Sequence, residues 1–128
     1  MIYLDTSVAL AQLLAEDRAP AAEMWREPLI SSRLLEYEIW TRIHASKRAQ
    51  SHGELARQLI GRVALIELAP AVLERALEPF PLPLRTLDAL HLASVEFLRS
   101  RGQAVRLAAY DQRLARVARR LNIPLYTG

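Results

Sequence analysis

The stretch Ile2-Tyr3-Leu4-Asp5-Thr6-Ser7 decides the fold. Three successive apolar residues predict a short buried strand, and the Asp-Thr-Ser that follows carries side chains suited to capping a helix. We therefore predict a helix from Val8 to Ala15 directly after the strand. A strand that leads at once into a helix is typical of the first unit of an α/β domain.

The rest of the chain repeats this alternation. Further strands are predicted at residues 28–30, 63–68 and 105–109, and further helices at residues 33–48, 54–62, 72–78, 86–101 and 111–121. Residues 22–26 are predicted to form a short amphipathic segment, and residues 123–126 a last extended segment. Ser51-His52-Gly53 is predicted to break the helical pattern, and the three prolines of residues 79–84 predict an extended connector. Gly102 and Asn122 are predicted to end helices.

This order of elements predicts one domain over residues 1–128. Strands separated by helices favour a three-layer α/β/α arrangement with a mainly parallel central sheet. In such a sheet the carboxyl ends of the strands emerge along one edge, where ligands usually bind.

Composition excludes several classes of protein. The chain has 128 residues and no cysteine, which excludes thiol nucleophiles, zinc ribbons, iron–sulfur clusters and disulfide scaffolds. The first residues lack the basic region of a signal peptide, and charges interrupt the apolar helices, so we expect a cytoplasmic protein without a membrane span. Seventeen Lys and Arg against 14 Asp and Glu permit nucleic acid as a partner.

Other common site patterns are missing. The four glycines form neither of the usual nucleotide-binding loops, and no serine lies in Gly-x-Ser-x-Gly. The three histidines show no close pairing, and we interpret His91, three residues after Asp88, as a packing residue. Lys47, the single lysine, lies within a predicted helix, which disfavours a phosphoacceptor receiver domain.

Acidic residues, in contrast, are placed to converge. Asp5 and Asp111 each follow a predicted strand, and Asp88 lies in the first turn of its helix. Each alone could be a helix cap, but a parallel sheet brings Asp5 and Asp111 to one edge, and a right-handed crossover brings Asp88 near it. Glu36 and Glu38 are both candidates for a fourth acid, and periodicity does not choose between them.

Converging carboxylates call for a cation. At about 5 Å two of them repel by roughly 3 kcal/mol at an effective dielectric near 20. Oxygen ligands without cysteine favour a hard ion, Mg²⁺ or Mn²⁺, and such a site can support displacement at phosphorus. Arg42, Arg85 and Arg113, expected outside the acidic pocket, are candidates to hold the phosphates of a nucleic acid.

Four segments together carry a resemblance to a known family. They are Asp5-Thr6-Ser7, Ser32 to Glu38, Leu87 to Ala93 and Tyr110 to Leu114. The set, which covers almost the whole chain, resembles the PIN-domain ribonucleases of the VapC type, the toxins of prokaryotic toxin–antitoxin pairs. The resemblance implies a Mg²⁺-dependent endoribonuclease toxin that acts on RNA. It also implies homodimers and a small antitoxin that lays its C-terminal segment, with an Arg, over the acidic groove.

The resemblance also implies roles for single residues. Asp5, Glu38, Asp88 and Asp111 would form the acidic Mg²⁺ site, with Thr6 and Ser7 supporting it by hydrogen bonds. Glu38 is preferred to Glu36 because it stands six residues after Ser32, as the glutamate of the family does. His91 and Arg113 match common family positions, which we interpret as packing or surface positions.

The chain departs from the family pattern at two positions. Ala109 stands where a Thr or Ser two residues before the last aspartate is common, which removes a hydroxyl near Asp111. Asn122 replaces a usual glycine and preserves the same cap. The alternative hypothesis, for which Ala109 is the support, is a catalytically silent PIN-like module that binds RNA or a protein.

Overall fold

The structure is a computed structural model that describes residues 1–127. Its sheet has four parallel strands in the order β3-β2-β1-β4, which are β1 Ile2–Leu4, β2 Leu29–Ser32, β3 Ala64–Ile66 and β4 Arg106–Ala108. Residues 123–126 add only an isolated bridge, between Leu125 and Leu107.

Helices cover both faces of the sheet. They are α1 Thr6–Leu13, α2 Leu34–Ala45, α3 Ala49–Gly61, α4 Pro70–Ala76, α5 Thr86–Ser100 and α6 Gln112–Arg120, and a short 3₁₀ helix spans Ala22–Arg26. Buried side chains of α1, α2 and α3 form one core with one face of the sheet, and those of α5 and α6 form a second core with the other face. The predicted three-layer α/β/α fold is confirmed.

Successive side chains of β1 point alternately into the two cores. Ile2 and Leu4 point into the core formed with α1, α2 and α3, whereas Tyr3 points into the core formed with α5 and α6. All three side chains are fully buried, because β1 is paired on both sides and covered on both faces. The chain then leaves the sheet at Asp5, whose backbone N–H donates to the carbonyl of Ala108 at the end of β4 over 2.9 Å.

The prediction that Ser51-His52-Gly53 breaks a helix is wrong. These residues lie inside α3, which begins at Ala49 rather than at Glu54. Gly53 is buried against the Trp40 ring of α2, and this packing outweighs the low helix propensity of glycine. Elsewhere the predicted elements are present, with ends that differ by a few residues.

The two predicted helix ends are confirmed. Gly102, after α5, has φ +83, and Asn122, after α6, has φ +58, both in the left-handed region. The proline-rich connector of residues 79–84 contains neither helix nor strand, as predicted. None of the helices within residues 1–127 has the length and hydropathy needed to cross a bilayer.

We predict that Gly53→Ala stabilises the protein. A Cβ at this position would lie 3.7 Å from the Trp40 ring, an ordinary van der Waals contact, and alanine lowers the backbone entropy of the unfolded chain. The free energy of unfolding should rise by about 0.5–1 kcal/mol in urea titrations.

Gly102→Ala is the matched control. No atom lies within 4 Å of a Cβ placed there, so only its φ of +83 opposes the substitution. The free energy of unfolding of this variant should fall by about 1 kcal/mol. A destabilised Gly53→Ala protein would show that the approach of α3 to Trp40 leaves no room for a methyl group.

Candidate active site

A pocket of about 270 Å³ opens at the carboxyl edge of the sheet. It collects acidic, hydroxyl and arginine side chains from the ends of β1 and β4 and from α1, α2 and α5. The lining residues are Asp5, Thr6, Ser7, Leu10, Glu16, Glu38, Arg42, Arg85, Asp88, Tyr110 and Asp111. The structure thus brings together all four acids that the sequence singles out.

Asp5 is the most buried of these acids. Its side chain caps α1, where Oδ2 accepts a hydrogen bond from the Ser7 backbone N–H at 3.2 Å and another from the Ser7 hydroxyl. Desolvation by burial raises the pKa of the carboxyl, an effect that His91 and the Ser7 hydrogen bonds oppose and that the charge of Asp88 reinforces. Asp5 is therefore an acid whose ionised form is costly in its buried surroundings.

Ser7 also supports the opposite wall of the pocket. Its hydroxyl oxygen accepts the backbone N–H of Tyr110 at 3.1 Å, one residue before Asp111. Ala109 offers no hydroxyl of its own, and Ser7 links the first turn of α1 to the loop after β4. A hydroxyl next to the residue before the last aspartate is thus supplied by α1.

Arg85 lies between Asp88 and Asp111. Its Nε donates to Asp88 Oδ2 at 3.2 Å and its Nη2 to Asp111 Oδ2 at 2.9 Å, while Asp111 Oδ1 accepts the N–H of Leu114 and caps α6. Hydrogen bonding to Asp88 and the charges of Asp88 and Asp111 raise the pKa of Arg85. The expectation that Arg85 lies outside the acidic pocket is wrong, because its guanidinium bridges two of the acids.

The structure distinguishes the two glutamates of α2. Glu38 lines the pocket, and its Oε1 accepts hydrogen bonds from the Thr6 hydroxyl at 2.9 Å and contacts His91 Nε2 at 2.6 Å. Glu36 faces away, 41% of its side chain is exposed, and it lies 3.7 Å from the guanidinium of Arg33. Glu38 is therefore the fourth acid of the pocket.

Three residues of the site were not identified as site residues from the sequence. Glu16 and Tyr110 line the pocket, and His91 contacts Glu38 from behind it. His91 is buried, as its interpretation as a packing residue requires, but it packs through hydrogen bonds. Its position three residues after Asp88, on the same side of a helix, was the available signal.

The remaining arginines have different surroundings. Arg42 was also expected outside the pocket, but it lines the pocket, with its Nη2 3.9 Å from Glu16 Oε2. Arg113 lies just outside, in a shallow surface depression that it shares with Arg85, Asp111 and Gln112. Arg113 makes no ion pair within residues 1–127, so its charge faces solvent.

The donor set of the pocket fits a hard divalent ion in its chemistry. All four acids offer carboxylate oxygens, which are the ligands that Mg²⁺ and Mn²⁺ prefer. Within residues 1–127, no three Asp, Glu, His or Cys side chains are already grouped as ligands around one point. The guanidinium of Arg85 instead provides positive charge between two of the acids.

Fold and site together define a three-layer α/β/α protein with an acidic pocket at the carboxyl edge of a parallel sheet. The family model of the PIN domain matches residues 2–120. Ribonuclease VapC46 of Mycobacterium tuberculosis (strain ATCC 25618 / H37Rv) is 30% identical over 125 residues, which are 95% of this chain and 93% of that protein. The chain belongs to the PIN-domain family, and the resemblance to the VapC type seen in its motifs is confirmed.

We predict that Asp5→Asn stabilises the metal-free protein near neutral pH. A carboxyl with a raised pKa in the folded state opposes folding once it ionises, so wild type loses stability as pH rises through that pKa. Asparagine caps a helix as well as aspartate does and carries no charge. In chelator, the thermal midpoint of the variant should exceed that of wild type, and the difference should shrink as pH falls toward the ordinary value of 3.8.

Glu36→Gln is the control for this experiment. Loss of this exposed carboxylate should change the free energy of unfolding by no more than about 0.5 kcal/mol at any pH. A wild-type protein that is more stable than Asp5→Asn at neutral pH would show that the Ser7 hydrogen bonds outweigh the cost of burying the charge.

Proposed function

We propose that this protein is a Mg²⁺-dependent endoribonuclease, the toxin of a type II toxin–antitoxin pair. The observation that carries the proposal is the convergence of Asp5, Glu38, Asp88 and Asp111 in one pocket. The named activity of the VapC46 relative, a ribonuclease, supports the same substrate class.

Asp5, Glu38, Asp88 and Asp111 would hold the ion, with Mn²⁺ as a possible substitute for Mg²⁺. A bound divalent ion supplies Lewis acidity toward water and phosphate oxygens. Thr6 and Ser7 orient Glu38 and Asp5 through hydrogen bonds, so these carboxylates are aimed before any ligand arrives. Burial of Asp5 keeps water from screening its charge, which strengthens its attraction for a cation.

The surface beside the pocket is suited to a phosphate backbone. Helix α6 begins at the pocket edge and carries four exposed arginines, Arg113, Arg116, Arg119 and Arg120. None of them has an ion-pair partner within the part of the chain that the structure describes. Arg113, Arg116 and Arg120 follow at helical spacing along one side, a row of charges that leads away from the acids. We assign phosphate contacts to this row, and to Arg42 and Arg85 in the pocket itself.

The proposal includes the partners of a toxin. A small antitoxin would present an arginine to the carboxylates, and Arg85 illustrates that a guanidinium fits between Asp88 and Asp111. A homodimer is also part of the proposal.

One observation favours a second candidate, a silent PIN-like module that binds RNA or a protein. Arg85 forms ion pairs with Asp88 and Asp111, so the negative charge of these acids is already partly compensated. Under this candidate a structured RNA would bind without being cut, in Mg²⁺ and in chelator alike.

We predict that Asp5→Asn and Asp88→Asn each reduce RNA cleavage by more than about 100-fold. Loss of groups that merely support a metal ligand already costs about 10–100-fold, and these substitutions remove ligands themselves. Cleavage of a structured RNA should stop in chelator and return with Mg²⁺, and circular dichroism should show folded variants. Glu36→Gln is the matched control and should retain activity. Undiminished cleavage by both purified aspartate variants contradicts the metal mechanism.

We predict that Arg113→Gln weakens RNA binding and flattens its salt dependence. Each phosphate contact to a single strand contributes about −0.7 to the slope of log K against log [salt]. Binding is measured by filter binding in an Asp88→Asn background, where the RNA stays intact. Adding Arg113→Gln should make the slope of log K against log [salt] less steep by that amount, whatever the RNA sequence. Arg99→Gln, at the exposed end of α5, is the control. Equal slopes for Arg113→Gln and Arg99→Gln would exclude Arg113 from the RNA interface.

A further inference from the structure

A buried histidine connects the two layers of helices behind the acidic pocket. His91, on α5, is 1% exposed. Its Nδ1 lies 2.7 Å from the hydroxyl of Tyr3, and its Nε2 lies 2.6 Å from Glu38 Oε1 and 3.2 Å from the Thr6 hydroxyl. The ring thus joins α5 to β1 and, across the edge of the sheet, to α2.

The contacts of His91 fit one assignment of hydrogen-bond donors and acceptors. The backbone N–H of Ser32 donates to the Tyr3 oxygen at 3.2 Å, and the Tyr3 hydroxyl, 2.7 Å from His91 Nδ1, can donate its own hydrogen to that nitrogen. Glu38, as a carboxylate, can only accept. In a neutral imidazole the single ring hydrogen then lies on Nε2, where it is donated to Glu38 Oε1 at 2.6 Å. This is one defined tautomer of the imidazole.

The two oxygens of Glu38 have different surroundings. Oε1 accepts from both His91 and Thr6, whereas Oε2 accepts no hydrogen bond within residues 1–127. Since Glu38 lines the pocket, fixing Oε1 at the back leaves Oε2 free for a ligand. A glutamate side chain without such partners would keep its rotamer freedom.

We propose that His91 is a positioning residue that fixes Glu38 in the acidic pocket through its Nε2–H. Its effect on metal binding rests on the proposed function, whereas its bond to Glu38 does not. His91 stands three residues after Asp88 on α5, so one helix places Asp88 directly and Glu38 through the imidazole. The position of Glu38 relative to Asp88, on the opposite layer of helices, thereby depends on the His91 side chain.

The first test is the tautomer of His91 in the metal-free protein. Long-range ¹H–¹⁵N spectra should show a hydrogen on Nε2, with Nδ1 as acceptor. His44, which is exposed, and His52, which is not part of the network, are internal controls. A neutral ring with its hydrogen on Nδ1 overturns the proposal.

The second test uses two substitutions that each keep half of the ring's contacts. The amide of Gln reaches about as far as Nε2, and that of Asn about as far as Nδ1. His91→Gln should therefore keep Glu38 in place, with Mn²⁺ affinity within about threefold of wild type. His91→Asn should lower the Mn²⁺ affinity by about tenfold or more, which is the usual effect of removing the hydrogen-bond partner of a metal-binding side chain. Equal loss in both variants assigns His91 to packing alone.

A double-mutant cycle separates this role from the proposed function. In a Glu38→Gln background, His91→Asn should cause little further loss of Mn²⁺ affinity. The same cycle in urea, without metal, should give a coupling of at least about twofold in the unfolding equilibrium constant. If wild type binds no Mn²⁺, the proposed function fails, and the metal-free coupling and tautomer still decide the role of His91. Additive effects in urea overturn it.

Discussion

The enclosure of β1 is the constraint on which the site depends. This strand is paired in parallel with β2 and with β4, in a register that aligns Ile2 with Leu29 and with Arg106. A slip by one residue would exchange the faces of the strand, placing Tyr3 in the core of α1, α2 and α3. The tyrosine hydroxyl would then leave its partners, so the register that buries the strand also places the hydrogen bonds behind the pocket.

Every acid at this edge has a hydrogen-bond or ion-pair partner. Ser7 holds Asp5, Thr6 and His91 hold Glu38, and Arg85 pairs with both Asp88 and Asp111. Like charges that converge in a partly buried pocket repel strongly, so the fold needs such compensation even without a ligand. These supports differ in charge. Ser7 and Thr6 are neutral hydrogen-bond donors that leave the negative charge in place, whereas Arg85 is a cation that offsets one of the two charges of Asp88 and Asp111.

Local patterns were sufficient to predict the strands, most helices and the edge at which the acids meet. They did not predict α3 correctly, because the helix through Gly53 is stabilised by Trp40 from another helix. They left Glu36 and Glu38 undecided, because both flank the apolar stripe of α2, and only the position of that helix over the sheet edge separates them. The hydrogen bonds of His91 were beyond local reasoning, because Tyr3 and Glu38 lie 88 and 53 residues away in the chain.

Asp111 shows how the loss of a hydroxyl at Ala109 is accommodated. Its Oδ1 is committed to capping α6, so the helix orients the carboxylate, and Ser7 fixes the preceding backbone N–H. Its Oδ2 takes no part in that cap, and Arg85 contacts this oxygen. A divalent cation that binds at Oδ2 would compete with the guanidinium and, by replacing it, would raise the charge of the pocket by one unit. Because the Arg85 side chain is 75% exposed, a displaced guanidinium can turn toward solvent.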